Sequence, residues 1–102
     1  METNIQKTVD KIVADYGPVK EVILFGSKAT GRDDEYSDTD FIVIKDTQES
    51  FVRRLANLPP LAIQADVFVY TPAEFKAMKE NENPFIMHAL SHSQVVYSQN
   101  ER

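Results

Sequence analysis

The sequence predicts an α/β (α+β) domain, in which helices pack on a mixed sheet of three or four strands. Three observations support this: helical periodicity near the N-terminus, two short apolar runs at 20–25 and 40–44, and a later segment of alternating polarity. The two apolar runs are rich in β-branched and aromatic residues and are too short for helices. The predicted order is helix, strand, turn, strand, helix, strand, helix, helix, strand, which is typical of a sheet covered by helices.

The N-terminal segment is predicted to form an amphipathic helix that ends at Gly17-Pro18. Its apolar residues recur at helical spacing: Ile5, Val9, Ile12, Val13 and Tyr16. A second helix is expected from residue 51 to the prolines at 59 and 60, because proline cannot continue the helical hydrogen bonds. The first two strands could run parallel or antiparallel, since the turn between them allows both.

The third strand is predicted within 61–72, where residues alternate between two faces. One face carries Ile63, Ala65, Val67 and Val69, and the other carries Gln64, Asp66, Phe68 and Tyr70, with Asp66 in mid-strand. Two further helices are expected after Thr71 and Asn83, since each of these N-cap residue types precedes a proline. Residues 94–98 are expected to form an edge strand.

Length and composition restrict the class of protein. With 102 residues and 42% hydrophobic residues, the chain is expected to form one domain over 1–102. The net charge of -5 argues against direct nucleic-acid binding, which normally uses a basic surface. No apolar run reaches the roughly 20 residues that a membrane span needs. The absence of cysteine and of a signal-peptide pattern leads us to expect a cytoplasmic protein without a membrane partner.

Two carboxylates at the start of the second strand suggest a metal site. Residues i and i+2 of a strand share a face, so Asp38 and Asp40 should project together. Two like charges about 4 Å apart repel by roughly 4 kcal/mol at an effective dielectric near 20, and a divalent cation is the simplest way to offset this. Oxygen ligands suit Mg²⁺ or Mn²⁺. Asp66 would add a third ligand if it lies on a neighbouring strand and its side chain projects from the same face of the sheet as Asp38 and Asp40.

Besides the two carboxylates, the sequence has Gly26-Ser27 at the end of the first strand, which suggests a phosphate site. Glycine allows close approach of a phosphate, and serine offers a hydroxyl and an N–H. A phosphate site beside a metal site suggests nucleoside triphosphate chemistry. Taken singly, each of these residues is better explained as a loop, turn or strand-edge residue, but their combination favours the site. Neither the P-loop string nor an EF-hand loop is present.

The stretch "GSKATGRDDEYSDTD" resembles the Gly-Ser, ten-residue spacer, Asp-x-Asp signature of the DNA polymerase β nucleotidyltransferase superfamily. Chain length and flanking strands resemble its minimal nucleotidyltransferase branch, and the likeness extends to "ADVFVYTPAEF" and "MHALSHSQVVYS". The resemblance implies a polymerase β-like fold, ATP as substrate, and transfer of AMP to a hydroxyl by a two-metal mechanism.

Carried over residue by residue, the resemblance implies that Asp38 and Asp40 bridge both metals. It also implies that Asp66 completes the coordination of one of the two metals. Gly26 and Ser27 would hold the phosphates. The family commonly has an arginine where this chain has Thr30, which leaves Lys28 and Arg32 as the candidate nucleotide-binding cations. The neighbouring acids Asp33, Asp34 and Glu35 receive no role.

The resemblance also implies a protein partner. Minimal nucleotidyltransferases often pair with a HEPN-domain ribonuclease toxin and modify it on a tyrosine, so an antitoxin role is expected. A module that neutralises its partner by contact alone is the alternative, favoured by Thr30 and opposed by the three aspartates. A homo-oligomer is left open.

The remaining chemistry-bearing residues receive structural interpretations. His88 and His92 have helical spacing but no evident third ligand, so surface positions are expected. Arg53 and Arg54 are expected on a solvated helix face. Phe75, Met78, Phe85 and Leu90 are expected to pack in the core or at an interface, and Tyr36, Tyr70 and Tyr97 are not distinguished from packing aromatics.

Overall fold

The computed structural model describes residues 3–26, 39–61 and 63–99. Their elements follow the predicted order: α1 (Thr3–Asp15), β1 (Glu21–Phe25), β2 (Asp40–Ile44), α2 (Phe51–Ala56), β3 (Asp66–Tyr70), α3 (Pro72–Glu80), α4 (Pro84–Ser91) and β4 (Ser93–Ser98). The predicted turn between the first two strands falls on 27–38 and lies outside the described residues.

The strands form one four-stranded sheet in the order β3-β2-β1-β4. β1 is antiparallel to both β2 and β4, whereas β2 and β3 are parallel. The predicted mixed sheet is therefore confirmed, and the relation between the first two strands, which the sequence left open, is antiparallel. β4 is an edge strand, as expected.

The sheet separates two apolar cores. On one face, α1 packs through Ile5, Val9 and Ile12, together with Tyr16 just after the helix. These residues face the odd-numbered positions of β2 and β3 and the even-numbered positions of β1. On the other face, α3 and α4 contribute Phe75, Ile86 and Ala89, with Met78 and Leu90 beside them. Because β1 and β2 lie in the middle of the sheet and are covered on both faces, four of the five residues in each are buried.

Arg54 is buried, so its expected position on a solvated face is wrong. Only 7% of the residue is exposed. Its guanidinium donates to Glu74 through Nη1···Oε1 (2.7 Å) and Nη2···Oε2 (3.1 Å), to the Val69 carbonyl (3.2 Å) and to the Glu49 carbonyl (2.9 Å). These bonds satisfy the buried cation, and they also cover an outward-facing carbonyl of edge strand β3. Arg53 is exposed, as expected.

Local capping signals set the starts of α3 and α4, as predicted. The Thr71 hydroxyl accepts from the Glu74 N–H (3.1 Å), and the Glu74 carboxylate accepts from the Thr71 N–H (2.9 Å), which is a capping box. The Asn83 side chain accepts from the Ile86 N–H (3.2 Å). Each bond satisfies a donor that the first helical turn would otherwise leave without a partner.

Across the ranges that are described, none of the helices combines the length and the apolar character needed to cross a bilayer.

Candidate functional site

Asp40 and Asp66 lie side by side at the start of two parallel strands. They are Cα partners in the β2–β3 register. Paired residues of a parallel ladder project from the same face, and neighbouring strands lie about 4.8 Å apart, so the two carboxylates rise from one edge of one face. Asp66 is the first residue of β3, not a mid-strand residue as predicted, because the segment before it does not join the ladder.

Backbone bonding holds this pair in place. The Asp66 N–H donates to the Thr39 carbonyl at 2.9 Å, which ties the first residue of β3 to the residue before β2. Thr39 is buried, whereas Asp40 is half-buried and Asp66 is exposed. The carboxylates therefore stand on a fixed backbone, at the boundary between the core and the solvent.

Gly26 completes the described part of the site from β1. Phe25, the last residue of β1, is the Cα partner of Asp40, so the chain turns at Gly26 directly beside that carboxylate. Gly26 has φ +84°, a conformation that side chains other than glycine rarely adopt. A Cβ at this position would lie 2.7 Å from Asp40 Oδ2. The turn therefore favours glycine, and a Cβ at this position would displace the Asp40 carboxylate.

The other predicted site residues, Ser27, Lys28, Arg32 and Asp38, fall within 27–38 and lie outside the described residues. Thr30 and the acids at 33–35 lie in the same segment. Of the predicted set, the structure brings together Gly26, Asp40 and Asp66. The metal and nucleotide roles of all these residues stay predictions.

The chemistry of the described donors suits a hard cation. Two carboxylates from adjacent strands supply oxygen ligands, and Mg²⁺ is commonly bound by one or two carboxylates together with substrate phosphates. No group of three or more His, Asp or Glu residues placed to hold a metal occurs among residues 3–26, 39–61 and 63–99. The predicted third carboxylate, that of Asp38, lies outside these ranges.

Tyr70 and Tyr97 lie away from this edge. Tyr70 shares the face of Asp66 but lies at the other end of β3, where its ring contacts Phe51 (centroids 6.0 Å apart). Burial, with a contribution from nearby Glu74, raises the pKa of the Tyr70 phenol. Tyr97 packs on the opposite face of the sheet. Tyr36 lies outside the described residues.

The two histidines are exposed, as expected. His88 lies in the last turn of α4, and His92 caps that helix. The His92 Nδ1 lies 2.8 Å from the Ser91 hydroxyl, which is a local contact. Neither histidine belongs to a metal-binding group within the described part of the chain.

Sequence reasoning missed the aromatic surroundings of the carboxylates. Phe68 follows Asp66 by two residues on the same face, and Phe25 faces Asp40 across the β1–β2 ladder. Phe85, at the start of α4, contacts both phenylalanine rings and is 38% exposed. The shared face of Asp66 and Phe68 was visible in the sequence, but the position of Phe85 depends on how α4 packs.

Comparison with known proteins identifies the family to which the chain is similar. The family described as "Polymerase beta, Nucleotidyltransferase" matches residues 7–102. No curated protein sequence matches the chain significantly.

The solved structures that resemble the fold include the following two. The first is a candidate nucleotidyltransferase from Sulfolobus solfataricus, with 15% identity and a TM-score of 0.66 over 96% of this chain and 80% of that chain. The second is a crystal structure described as a toxin-antitoxin with AMP-PNP, with 17% identity and a TM-score of 0.54 over 93% of this chain and 74% of that chain. At these identities the likeness establishes the fold, which is the polymerase β-like fold predicted from the sequence.

Proposed function

Because this chain belongs to the polymerase β nucleotidyltransferase family, we propose that it transfers AMP from ATP to a hydroxyl group in a Mg²⁺-dependent reaction. The observation that carries the proposal is the placement of Asp40 and Asp66 as register partners beside Gly26. Nucleotidyl transfer requires a concentrated negative charge that binds metal next to a backbone that phosphate can approach. Asp40 and Asp66 carry the negative charge at this edge of the sheet, and Gly26 is our candidate for the backbone that a phosphate approaches.

The residues fit a divalent cation. Asp40 and Asp66, joined by Asp38 of the preceding segment, would hold Mg²⁺ through oxygen ligands, with Mn²⁺ as a substitute. When bound, Mg²⁺ neutralises charge on the phosphates at the attacking and leaving oxygens. We assign the same three aspartates to the two-metal mechanism that the family resemblance implies.

The role of the protein in this reaction is to position the metal-binding and phosphate-binding groups. The bond from Asp66 N–H to the Thr39 carbonyl and the β2–β3 ladder fix the spacing of the backbone that carries the two carboxylates. A fixed backbone favours positioning of reacting groups. Gly26 leaves room for Asp40 Oδ2 and turns the chain toward 27–38, where Ser27, Lys28 and Arg32 are our candidates for binding the phosphates.

We further propose that the acceptor hydroxyl belongs to a protein partner, a tyrosine of a HEPN-domain toxin, and that the chain acts as the antitoxin. A solved structure of the same fold, described as a toxin-antitoxin with AMP-PNP, supports an assembly of this kind. The tyrosines Tyr70 and Tyr97 lie away from the carboxylates, at the far end of β3 and on the opposite face, so neither is placed as an internal acceptor.

A second candidate function is neutralisation of the partner by contact alone, without nucleotide transfer. Thr30, at the position where the family commonly has arginine, favours this candidate because it removes a cation expected near the phosphates. The pair of Asp40 and Asp66 opposes it, since a contact module has no need for two neighbouring carboxylates at the start of parallel strands.

The test is transfer of label from [α-³²P]ATP to the product of the adjacent gene in the presence of Mg²⁺. Asp40→Asn should abolish labelling while leaving the fold intact, because asparagine has the same shape without the charge. Asp46→Asn is the matched control: Asp46 follows the other end of β2, is 74% exposed at its side chain and should label like wild type. Partner binding with no label transfer by wild type would refute the enzyme and leave the contact module.

A further inference from the structure

Three phenylalanines form one cluster beside the carboxylates. Phe25, Phe68 and Phe85 are in mutual ring contact, with centroid separations of 6.1 Å for Phe25–Phe68, 5.9 Å for Phe25–Phe85 and 4.9 Å for Phe68–Phe85. We call this set the phenylalanine cluster. The rings are tilted or edge-on to one another, which are favourable arrangements for aromatic pairs.

The phenylalanine cluster and the site share one face of the sheet. Phe25 is the Cα partner of Asp40, and Phe68 lies two residues beyond Asp66, about 6.6 Å along the strand. The Asp40 carboxylate lies against Gly26, on the outer side of Phe25. Phosphates held at the outer edge would therefore place the rest of a nucleotide within reach of the cluster.

Phe85 is the exposed member of the cluster. Phe25 is 8% exposed and Phe68 is half-buried, but Phe85 remains 38% exposed although it contacts both rings. Other residues of α4 also pack against the sheet, because the next residue, Ile86, is fully buried and Ala89 is 2% exposed. Phe85 thus offers an aromatic surface to solvent on a rigid aromatic support.

We propose that Phe85, supported by Phe68 and Phe25, stacks on the base of a nucleotide whose phosphates bind the Mg²⁺ held by Asp40 and Asp66. The inference rests on the proposed function and adds the group that binds the nucleoside. Stacking on an aromatic side chain is tolerant of base identity, because every base has a π-face. The phenylalanine rings carry no hydrogen-bonding groups, so the cluster contributes affinity for a base without selecting adenine over guanine.

The contribution of the base is separated from that of the phosphates by two ligands. MgATP and Mg-tripolyphosphate share the phosphate chain, but only ATP carries a ribose and a base. Phe85→Ala should weaken binding of MgATP about tenfold, equivalent to about 1.4 kcal/mol, and should change binding of Mg-tripolyphosphate less than about twofold. Met87→Ala is the matched control, because Met87 is also 38% exposed and lies in the same helix.

A fluorescence signal tests the contact directly. The chain has no tryptophan, so Phe85→Trp introduces a single reporter that retains a stacking surface. Its emission should be quenched by MgATP and MgGTP to a similar extent, and should not respond to Mg-tripolyphosphate. If Phe85→Ala does not fold, Phe85→Leu keeps an apolar side chain without a π-face and replaces it in the binding measurements.

The outcomes distinguish this inference from the function on which it rests. If Phe85→Ala weakens MgATP binding no more than Met87→Ala does, stacking is refuted. The nucleotidyltransferase proposal would still stand in that case, provided that Asp40→Asn abolishes MgATP binding. Equal loss of both ligands in Phe85→Ala and Phe85→Leu would also refute stacking, because the damage would then extend to the phosphate site. If wild type binds neither ligand, the proposed function fails and the inference fails with it.

Discussion

The carboxylate of Asp40 occupies the space that a side chain on Gly26 would need: a Cβ there would lie 2.7 Å from Asp40 Oδ2. This contact joins the end of β1 to the start of β2 and makes one glycine serve two purposes. It permits the turn at φ +84°, and it leaves the carboxylate in its position above the sheet edge. Substitution at Gly26 should therefore disturb both the backbone and the site.

Gly26→Ala is expected to lower the free energy of unfolding by about 1–2 kcal/mol, because alanine is strained at positive φ. It should also lower nucleotide transfer by about 100-fold, since the added methyl displaces Asp40. Chemical denaturation and the transfer assay measure the two effects. Gly17→Ala is the control, because Gly17 has φ +83° and its Cβ would meet only Lys45 Nζ at 3.4 Å. Equal loss of transfer in both variants would contradict a specific role for Gly26.

Asp66→Asn should separate metal binding from folding. Removal of one of two neighbouring negative charges is expected to leave the melting temperature unchanged or raised in the absence of Mg²⁺, because like charges repel. Wild type with ATP should be stabilised further by Mg²⁺, whereas the variant should gain little, since ligand binding stabilises only the state that binds it. Thermal unfolding with and without Mg²⁺ gives both results. A variant that Mg²⁺ stabilises as much as wild type would remove Asp66 from the metal site.

The buried Arg54 and its partner Glu74 should determine stability in acid. Hydrogen bonds from Arg54 lower the pKa of Glu74 below its ordinary value of 4.5, with further contributions from Thr71. A carboxyl whose pKa is lower in the folded state stabilises the protein above the unfolded-state pKa. That stabilisation is lost as the pH falls from about 4.5 through the folded-state value.

Glu74→Gln is therefore expected to lower the free energy of unfolding at pH 7 by about 1–2 kcal/mol. This loss is smaller than that expected for a fully buried ion pair, because the Glu74 side chain is 44% exposed. The variant should also show a weaker decline in stability below pH 4.5 than wild type. Urea unfolding across pH 3–7 provides the comparison. Glu80→Gln, an exposed substitution in the same helix, should behave like wild type, and parallel pH profiles for wild type and Glu74→Gln would contradict the assignment.

The N-cap of α4 should contribute a measurable part of stability. Asn83→Ala removes the acceptor for the Ile86 N–H and is expected to cost about 1 kcal/mol. Asn83→Asp keeps an acceptor at the same place and should retain most of the stability. Denaturation midpoints of the three proteins test this, and an alanine variant as stable as the aspartate variant would show that the cap contributes nothing. The result also bears on Phe85, because the cap fixes the turn from which that ring projects.

The sequence predicted those elements of the fold that depend on residues close together in the chain. The two apolar runs formed β1 and β2, and Thr71 and Asn83 became the N-caps of α3 and α4, because strand periodicity and capping bonds involve residues close together in the chain. Arg54 could not be placed in this way. Its burial depends on Glu74 and Val69, which lie on other elements, and helical position alone gives no information on such partners.

The same division holds at the candidate site. The sequence by itself determined which residues to consider. Gly26, Asp38 and Asp40 follow from a motif of fixed spacing between two predicted strands, and Asp66 follows from the alternation of faces in the third. Tertiary structure alone decided that Asp40 and Asp66 are neighbours and that Phe85 lies beside them. The physical reason is that strand order and parallel register arise from long-range pairing and from packing of both cores, which no short segment specifies.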